Sequence, residues 1–152
     1  MKLMLDEWFS EAFPELSRAR NAEAVFDSWE MPGEDRRAIE IVKQLAEERK
    51  DCPGVRAGLW LYAGDWETAH LICQSDESAT GSWWHAIIHR FEGDAFNSKY
   101  WYRRAVDHPV RDLITFDPRE LVEYSQGKNE GRLYLQKEEF LTLLRWCVEN
   151  RK

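Results

Sequence analysis

Cysteine is scarce in this sequence, and its three cysteines stand far apart, at Cys52, Cys73 and Cys147. No Cys-x-x-Cys pair occurs, so the chain has the spacing of neither a zinc ribbon nor a redox dithiol. An odd number of dispersed thiols predicts small, buried or half-buried side chains in a reducing compartment. We therefore expect a cytoplasmic protein.

Long apolar runs are also missing. No stretch approaches the roughly 20 apolar residues of a transmembrane helix. The N-terminus reaches carboxylates at Asp6 and Glu7 before any apolar region develops, which argues against a secretory signal. Gly64 and Gly93 are isolated turn glycines, so there is no glycine-rich phosphate loop, and no serine has the strand–turn–helix setting of a hydrolase nucleophile.

Basic charge is in deficit, with 21 lysines and arginines against 28 acidic residues and a net charge of −7. General nucleic-acid binding and adsorption to an anionic membrane both depend on clustered basic residues, so we expect neither. What the chain has is apolar material, 43% of 152 residues, which is enough for a full core. The length predicts a single domain over 1–152.

The apolar residues recur at helical spacing in nearly every segment, and none alternates long enough to indicate a strand. The sequence therefore predicts an all-α protein, with a broken helical stretch over the first thirty residues. Isolated Gly-Asp pairs at 64–65 and 93–94 predict the turns of two helical hairpins. The predicted helices are Glu34–Lys50, Val55–Ala63, Trp66–Gln74, Ser82–Glu92, Phe96–Val106, a short one within 117–124, and Leu133–Asn150.

The two hairpins resemble degenerate tetratricopeptide-type repeats. The second hairpin carries the small, turn and aromatic residues of that scheme at Ala86, Gly93-Asp94, Ser98, Tyr102, Ala105 and Pro109. The first matches at Ala57, Gly64-Asp65 and Ala69 only, and the two turns are 29 residues apart, short of the usual period of about 34. The resemblance implies a compact helical-hairpin domain that acts as a binding or interaction module.

A second resemblance covers the middle of the chain. The run Thr80-Gly-Ser-x-Trp-His-x-Ile-x-His-Arg90, followed by Asn97-Ser-Lys-Tyr-Trp-x-Arg-Arg104, resembles an uncharacterised family of bacterial proteins. This resemblance implies the fold and the position of a site, and it implies no activity.

Histidines are the first candidates for chemistry. His85 and His89 are four residues apart, so they project from one helix face, and Glu92 is the next residue on that face. With His70 on the preceding helix, they form a nitrogen and oxygen set that suits a divalent transition metal. The alternative is that the histidines are packing residues, each satisfied by one hydrogen bond.

A second group of candidates lies in the same hairpin. Arginine with tyrosine and asparagine suits a carboxylate or phosphate, because a guanidinium donates two parallel hydrogen bonds to such groups. One of the adjacent Trp83 and Trp84 is expected to point away from the core and to line a groove or an interface. The predicted ligand-binding residues are Trp84, Asn97, Tyr100, Arg103 and Arg104, with Arg90 opposite. The alternative for the arginines is ordinary surface pairing with Glu92, Asp94 or Asp107.

Two functions follow from these candidates and stay open at this point. The first is an interaction module that binds a protein or a small anionic ligand on the face formed by 82–104. The second is a small metal-binding protein or metalloenzyme that uses His70, His85 and His89, with Glu92 as a further ligand.

Overall fold

The computed structural model describes residues 4–152. The first three residues of the N-terminal stretch, which argues against a secretory signal, lie outside the described residues. The described chain is all-α, as predicted, and contains no β-strand. None of its helices combines the length and the apolar character that crossing a membrane requires. The α-helices are α1 (Leu5–Ala12), α2 (Pro14–Ala19), α3 (Ala22–Val25), α4 (Arg36–Glu47), α5 (Pro53–Ala63), α6 (Trp66–Gln74), α7 (Ala79–Phe91), α8 (Ala95–Arg104), α9 (Glu120–Gln126) and α10 (Tyr134–Glu149), with short 3-10 helices at Pro109–Asp112 and Glu130–Arg132.

The two predicted hairpins are present. Helix α5 packs against α6, and α7 packs against α8. Gly64 ends α5 and has a φ angle of +91°. Gly93 lies in the turn after α7 and has a φ angle of +78°. Only glycine adopts such angles without a steric penalty from Cβ, so these two residues are suited to the reversals. Asp65 and Asp94 then accept the hydrogen bonds that cap α6 and α8.

The pairing of α7 with α8 depends on small residues. Ala86, Ser98 and Ala105 are fully buried, and Ser98 Oγ donates a 2.8 Å hydrogen bond to the carbonyl of Ala86. These are the positions at which the sequence predicts small contact residues. Helix α7 begins at Ala79, three residues earlier than predicted, because the Ser78 side chain accepts the capping hydrogen bond from the Gly81 amide.

Helix α7 is buried on almost every side, because α5, α6 and α8 all pack against it. For this reason the expectation that one of Trp83 and Trp84 points out of the core is wrong: they are 0% and 1% exposed. Trp84 packs edge-on against Phe140 of α10, with ring centroids 5.0 Å apart. A Cβ added at Gly58 would lie 2.7 Å from the Trp84 ring, so glycine there makes room for the indole.

A charged network lies inside this core. Arg90 Nη1 is 2.9 Å from Glu139 Oε1, and both side chains are essentially inaccessible to solvent. Trp83 Nε1 and the Tyr102 hydroxyl donate to the other oxygen of Glu139, at 3.0 and 2.6 Å. The prediction that Arg90 lies opposite the ligand-binding residues is therefore wrong, because its guanidinium pairs with Glu139 inside the core.

Candidate metal centre

Three histidines from two helices meet at one place. His70 projects from α6, and His85 and His89 project from α7 one turn apart. One possible ligand atom from each ring can be chosen so that all three lie within 4.8 Å of one another. Among residues 4–152 no other group of histidine, cysteine and acidic residues gathers in this way. The three imidazoles that the sequence grouped as candidate ligands therefore lie together.

The three imidazole rings pack against one another, one pair stacked and the third ring edge-on to both. His70 Nε2 lies 3.0 Å from His85 Nε2, so without a metal one of these nitrogens carries a proton and donates it to the other. The His85 and His89 rings are stacked, with centroids 4.9 Å apart and planes inclined by 16°. His70 stands nearly perpendicular to both. The nitrogens of His70 and His85 thus point at the same small volume.

Burial lowers the pKa values of two of the three histidines. His85 is 6% exposed, and desolvation, together with the neighbouring His70 and His89, lowers its pKa to about 4. Burial also lowers the pKa of His89, against the opposing effect of the carboxylates of Glu92 and Asp94. Both rings are consequently neutral near pH 7, which is the form that binds metal ions.

Glu92 is placed differently from the prediction. It is not a member of the converging group; its Oε1 lies 3.5 Å from His89 Nδ1, and Asp94 Oδ2 lies 3.7 Å from the same nitrogen. This nitrogen is buried and makes no hydrogen bond within the described chain. Two carboxylates facing Nδ1 favour a proton there, which leaves the lone pair on Nε2.

Trp101 forms the wall of the site on the α8 side. Its ring lies flat against His85, with centroids 4.1 Å apart and planes inclined by 15°. Trp101 is not among the site residues that the sequence predicts. The helical spacing 97, 101 and 104, which places Trp101 on one face with Asn97 and Arg104, is the signal that could have found it.

The predicted ligand-binding residues separate into two sets. Trp84 is buried in the core and has almost no accessible surface to offer a ligand. Asn97 Nδ2 donates to Asp94 Oδ2 at 2.7 Å, so its amide is used inside the protein. Tyr100, Arg103 and Arg104 are exposed on α8, and neither arginine forms the predicted ion pair with Glu92, Asp94 or Asp107 within the described chain.

The chain matches no protein-family model, no curated protein and no solved structure.

Proposed function

We propose that this protein binds a divalent transition metal ion through His70, His85 and His89. The observation that carries the proposal is the convergence of one nitrogen from each of three imidazoles within 4.8 Å. Three histidines are a common set of protein ligands for zinc in sites that keep a fourth position for water or a substrate.

The distances suit a small ion. Nitrogen ligands lie about 2.0–2.1 Å from zinc, so two of them at tetrahedral angles are about 3.3 Å apart. The 3.0 Å separation of His70 Nε2 and His85 Nε2 is close to this value. The three ligand atoms lie within 4.8 Å of one another, so the rings must turn to bring the third nitrogen to the ion. The ion then replaces the proton that the two nitrogens otherwise share.

The chemistry of the ligands selects the class of metal. Imidazole nitrogen suits zinc, copper, nickel, cobalt and ferrous iron, whereas magnesium and calcium prefer oxygen ligands. Because Glu92 and Asp94 face His89 Nδ1, their role is to hold that ring and raise its basicity rather than to bind the ion. Three protein ligands leave at least one coordination position open, as in catalytic sites.

The interaction module remains the second candidate. The helices beside the histidines expose apolar side chains, Leu71 on α6 (66% exposed) and Phe96 on α8 (78% exposed). A tetratricopeptide-like hairpin pair acting in the cytoplasm could use this surface to bind a protein, and the three free cysteines suit that reducing compartment. Most of 82–91 is buried, so the working face would be formed by α6 and α8.

A metal titration followed by thermal unfolding tests the main proposal. A metal at a hundred times its dissociation constant stabilises the folded state by about 2.7 kcal/mol. For a chain of this length that raises the melting temperature by roughly 5–10 °C. We expect this shift with zinc, cobalt or nickel and not with magnesium or calcium.

Variants identify the ligands. His70→Ala, His85→Ala and His89→Ala should each abolish the shift, measured against the same variant without metal. His108→Ala is the matched control, because His108 is a buried histidine bonded to Thr80 and is not part of the converging group. If no transition metal changes the melting temperature of the parent protein, the histidines are packing residues and only the interaction module stands.

A further inference from the structure

A guanidinium lies beside Trp101, the residue that walls the metal centre on the α8 side. Trp101 lies against His85, and three residues later the Cζ atom of Arg104 is 5.6 Å from the centre of the Trp101 ring and 5.9 Å from that of Tyr100. Arg104 is therefore held by aromatic rings at the edge of the site, one ring away from a metal ligand.

This guanidinium has no carboxylate partner within residues 4–152. Its one hydrogen-bonding contact is a long one of 3.5 Å to the Tyr100 hydroxyl. The carboxylates of Glu92 and Asp94 lie at the opposite end of α8 from Arg104, where they face His89. The remaining guanidinium donors of Arg104 are thus available to an exogenous anion, and the aromatic rings limit the side-chain entropy lost on binding.

We propose that the metal centre takes a short dicarboxylate as its ligand or substrate, an inference that rests on the proposed metal site. One carboxylate would occupy the coordination position that the three histidines leave open, and the other would accept hydrogen bonds from Arg104. Two charged groups are needed because the Trp101 ring lies between Arg104 and His85. The centre of this ring is 5.6 Å from the Arg104 Cζ atom and 4.1 Å from the centre of the His85 ring. A monocarboxylate reaches one of the two positions only.

The neighbouring Arg103 provides a matched control. It is exposed on the same helix, but one residue of helix turns its side chain by about 100° away from that of Arg104. Both substitutions remove one positive charge from the same end of α8. A difference between them therefore reports position and not net charge.

The experiment uses protein loaded with cobalt(II), whose visible absorption changes when an anion enters the coordination sphere. Succinate and glutarate are titrated against acetate in the parent protein, Arg104→Met and Arg103→Met. Because the second carboxylate binds intramolecularly, we expect the parent to bind a dicarboxylate at least roughly tenfold more tightly than acetate. Arg104→Met should lose this advantage while keeping its cobalt affinity and its affinity for acetate, and Arg103→Met should behave as the parent.

The two proposals fail in different ways. If the parent protein binds no cobalt, both the metal centre and its ligand are wrong. If it binds cobalt but takes acetate and dicarboxylates equally, or if Arg104→Met and the parent bind succinate alike, the metal centre stands and the dicarboxylate inference is overturned. Equal losses in Arg103→Met and Arg104→Met would likewise overturn it, because they would show an effect of charge alone.

Discussion

Arg90 and Glu139 form an ion pair of 2.9 Å between side chains that are 1% and 0% exposed. Removing one member of such a pair leaves the other charge unpaired in the core, which lowers the free energy of unfolding by about 3–5 kcal/mol. We therefore expect Glu139→Gln to lower the free energy of unfolding by an amount in that range, measured by denaturant unfolding. A double variant, Arg90→Met with Glu139→Met, should be less destabilised than the sum of its single variants.

Glu138→Gln is the control for this prediction. Glu138 is the preceding residue on α10. Its side chain is half-buried, and burial raises its pKa. Its neutralisation should change stability by no more than about 0.5 kcal/mol. Additive single-variant effects at Arg90 and Glu139 would show that the ion pair is not the source of the loss.

The two turn glycines should differ in their tolerance of alanine. Both have positive φ angles, so each substitution costs about 1–2 kcal/mol of backbone strain. A Cβ at Gly64 would also lie 2.2 Å from the carbonyl oxygen of Gly33, whereas nothing lies within 4 Å of one at Gly93. Gly64→Ala should therefore be the more destabilising by at least about 1 kcal/mol in a denaturant titration. Equal midpoints for the two variants would show that the 33–34 segment gives way freely.

The features that the sequence predicted correctly are those set by residues close together in the chain. The all-α class, the two turns and the bounds of α6 follow from helical periodicity and from glycine and aspartate chemistry within a few residues. The pairing of His85 with His89 follows equally from a spacing of four. The contacts that the sequence missed, or left open, join distant positions: His70 is 15 residues from His85, and Arg90 is 49 residues from Glu139.

Burial of α7 is the reason for the main errors. On a helix with one solvent-facing side, one of the adjacent Trp83 and Trp84 would point outward, and Arg90 would be free to face a ligand. The sequence therefore places Trp84 and Arg90 at a site. Both are buried because α5, α6 and α8 surround this helix and because Gly58 leaves space for the Trp84 ring. Only the packing of the other helices supplies that information.

His108 should make the stability of the metal-free protein depend on pH. Its Nδ1 accepts a hydrogen bond from the Val110 amide and its Nε2 lies 2.9 Å from Thr80 Oγ1, so the ring is neutral with its proton on Nε2. Burial lowers its pKa to about 4. In the unfolded chain this histidine has an ordinary pKa of about 6.5. Between these two values the unfolded chain therefore binds a proton that the folded chain does not bind. Stability is therefore lost as the pH falls from about 6.5 towards 4.

A substitution isolates this contribution. Between pH 7 and pH 5 we expect His108 to remove about 2 kcal/mol from the free energy of unfolding. His108→Asn keeps an acceptor for the Val110 amide but cannot titrate, so its stability should fall less over that interval by about the same amount. His85 is present in both proteins and cancels from the comparison. Parallel pH profiles would contradict the prediction.

The carboxylates beside His89 should tune the affinity for metal without binding it. Glu92 Oε1 and Asp94 Oδ2 lie 3.5 and 3.7 Å from His89 Nδ1, on the nitrogen that we infer is not the ligand. Loss of such partners lowers metal affinity by about 10–100-fold. We expect a decrease in this range for the double variant Glu92→Gln with Asp94→Asn, measured by competition against a chelator, and a smaller one for Glu92→Gln alone. Asparagine at 94 still caps α8, which separates this effect from loss of the helix.

The absorption of the cobalt-loaded variants distinguishes a supporting carboxylate from a ligand. If Glu92 only holds His89, the coordinating atoms stay the same in Glu92→Gln, and the position and intensity of the visible bands should match those of the parent. A changed spectrum would mean that Glu92 binds the metal directly, as the sequence alone predicts. Glu67→Gln, an exposed change on α6 outside the converging histidines, should alter neither the spectrum nor the affinity. An unaltered affinity in the double variant would show that the His89 ring is held by packing against His85 and needs no carboxylate.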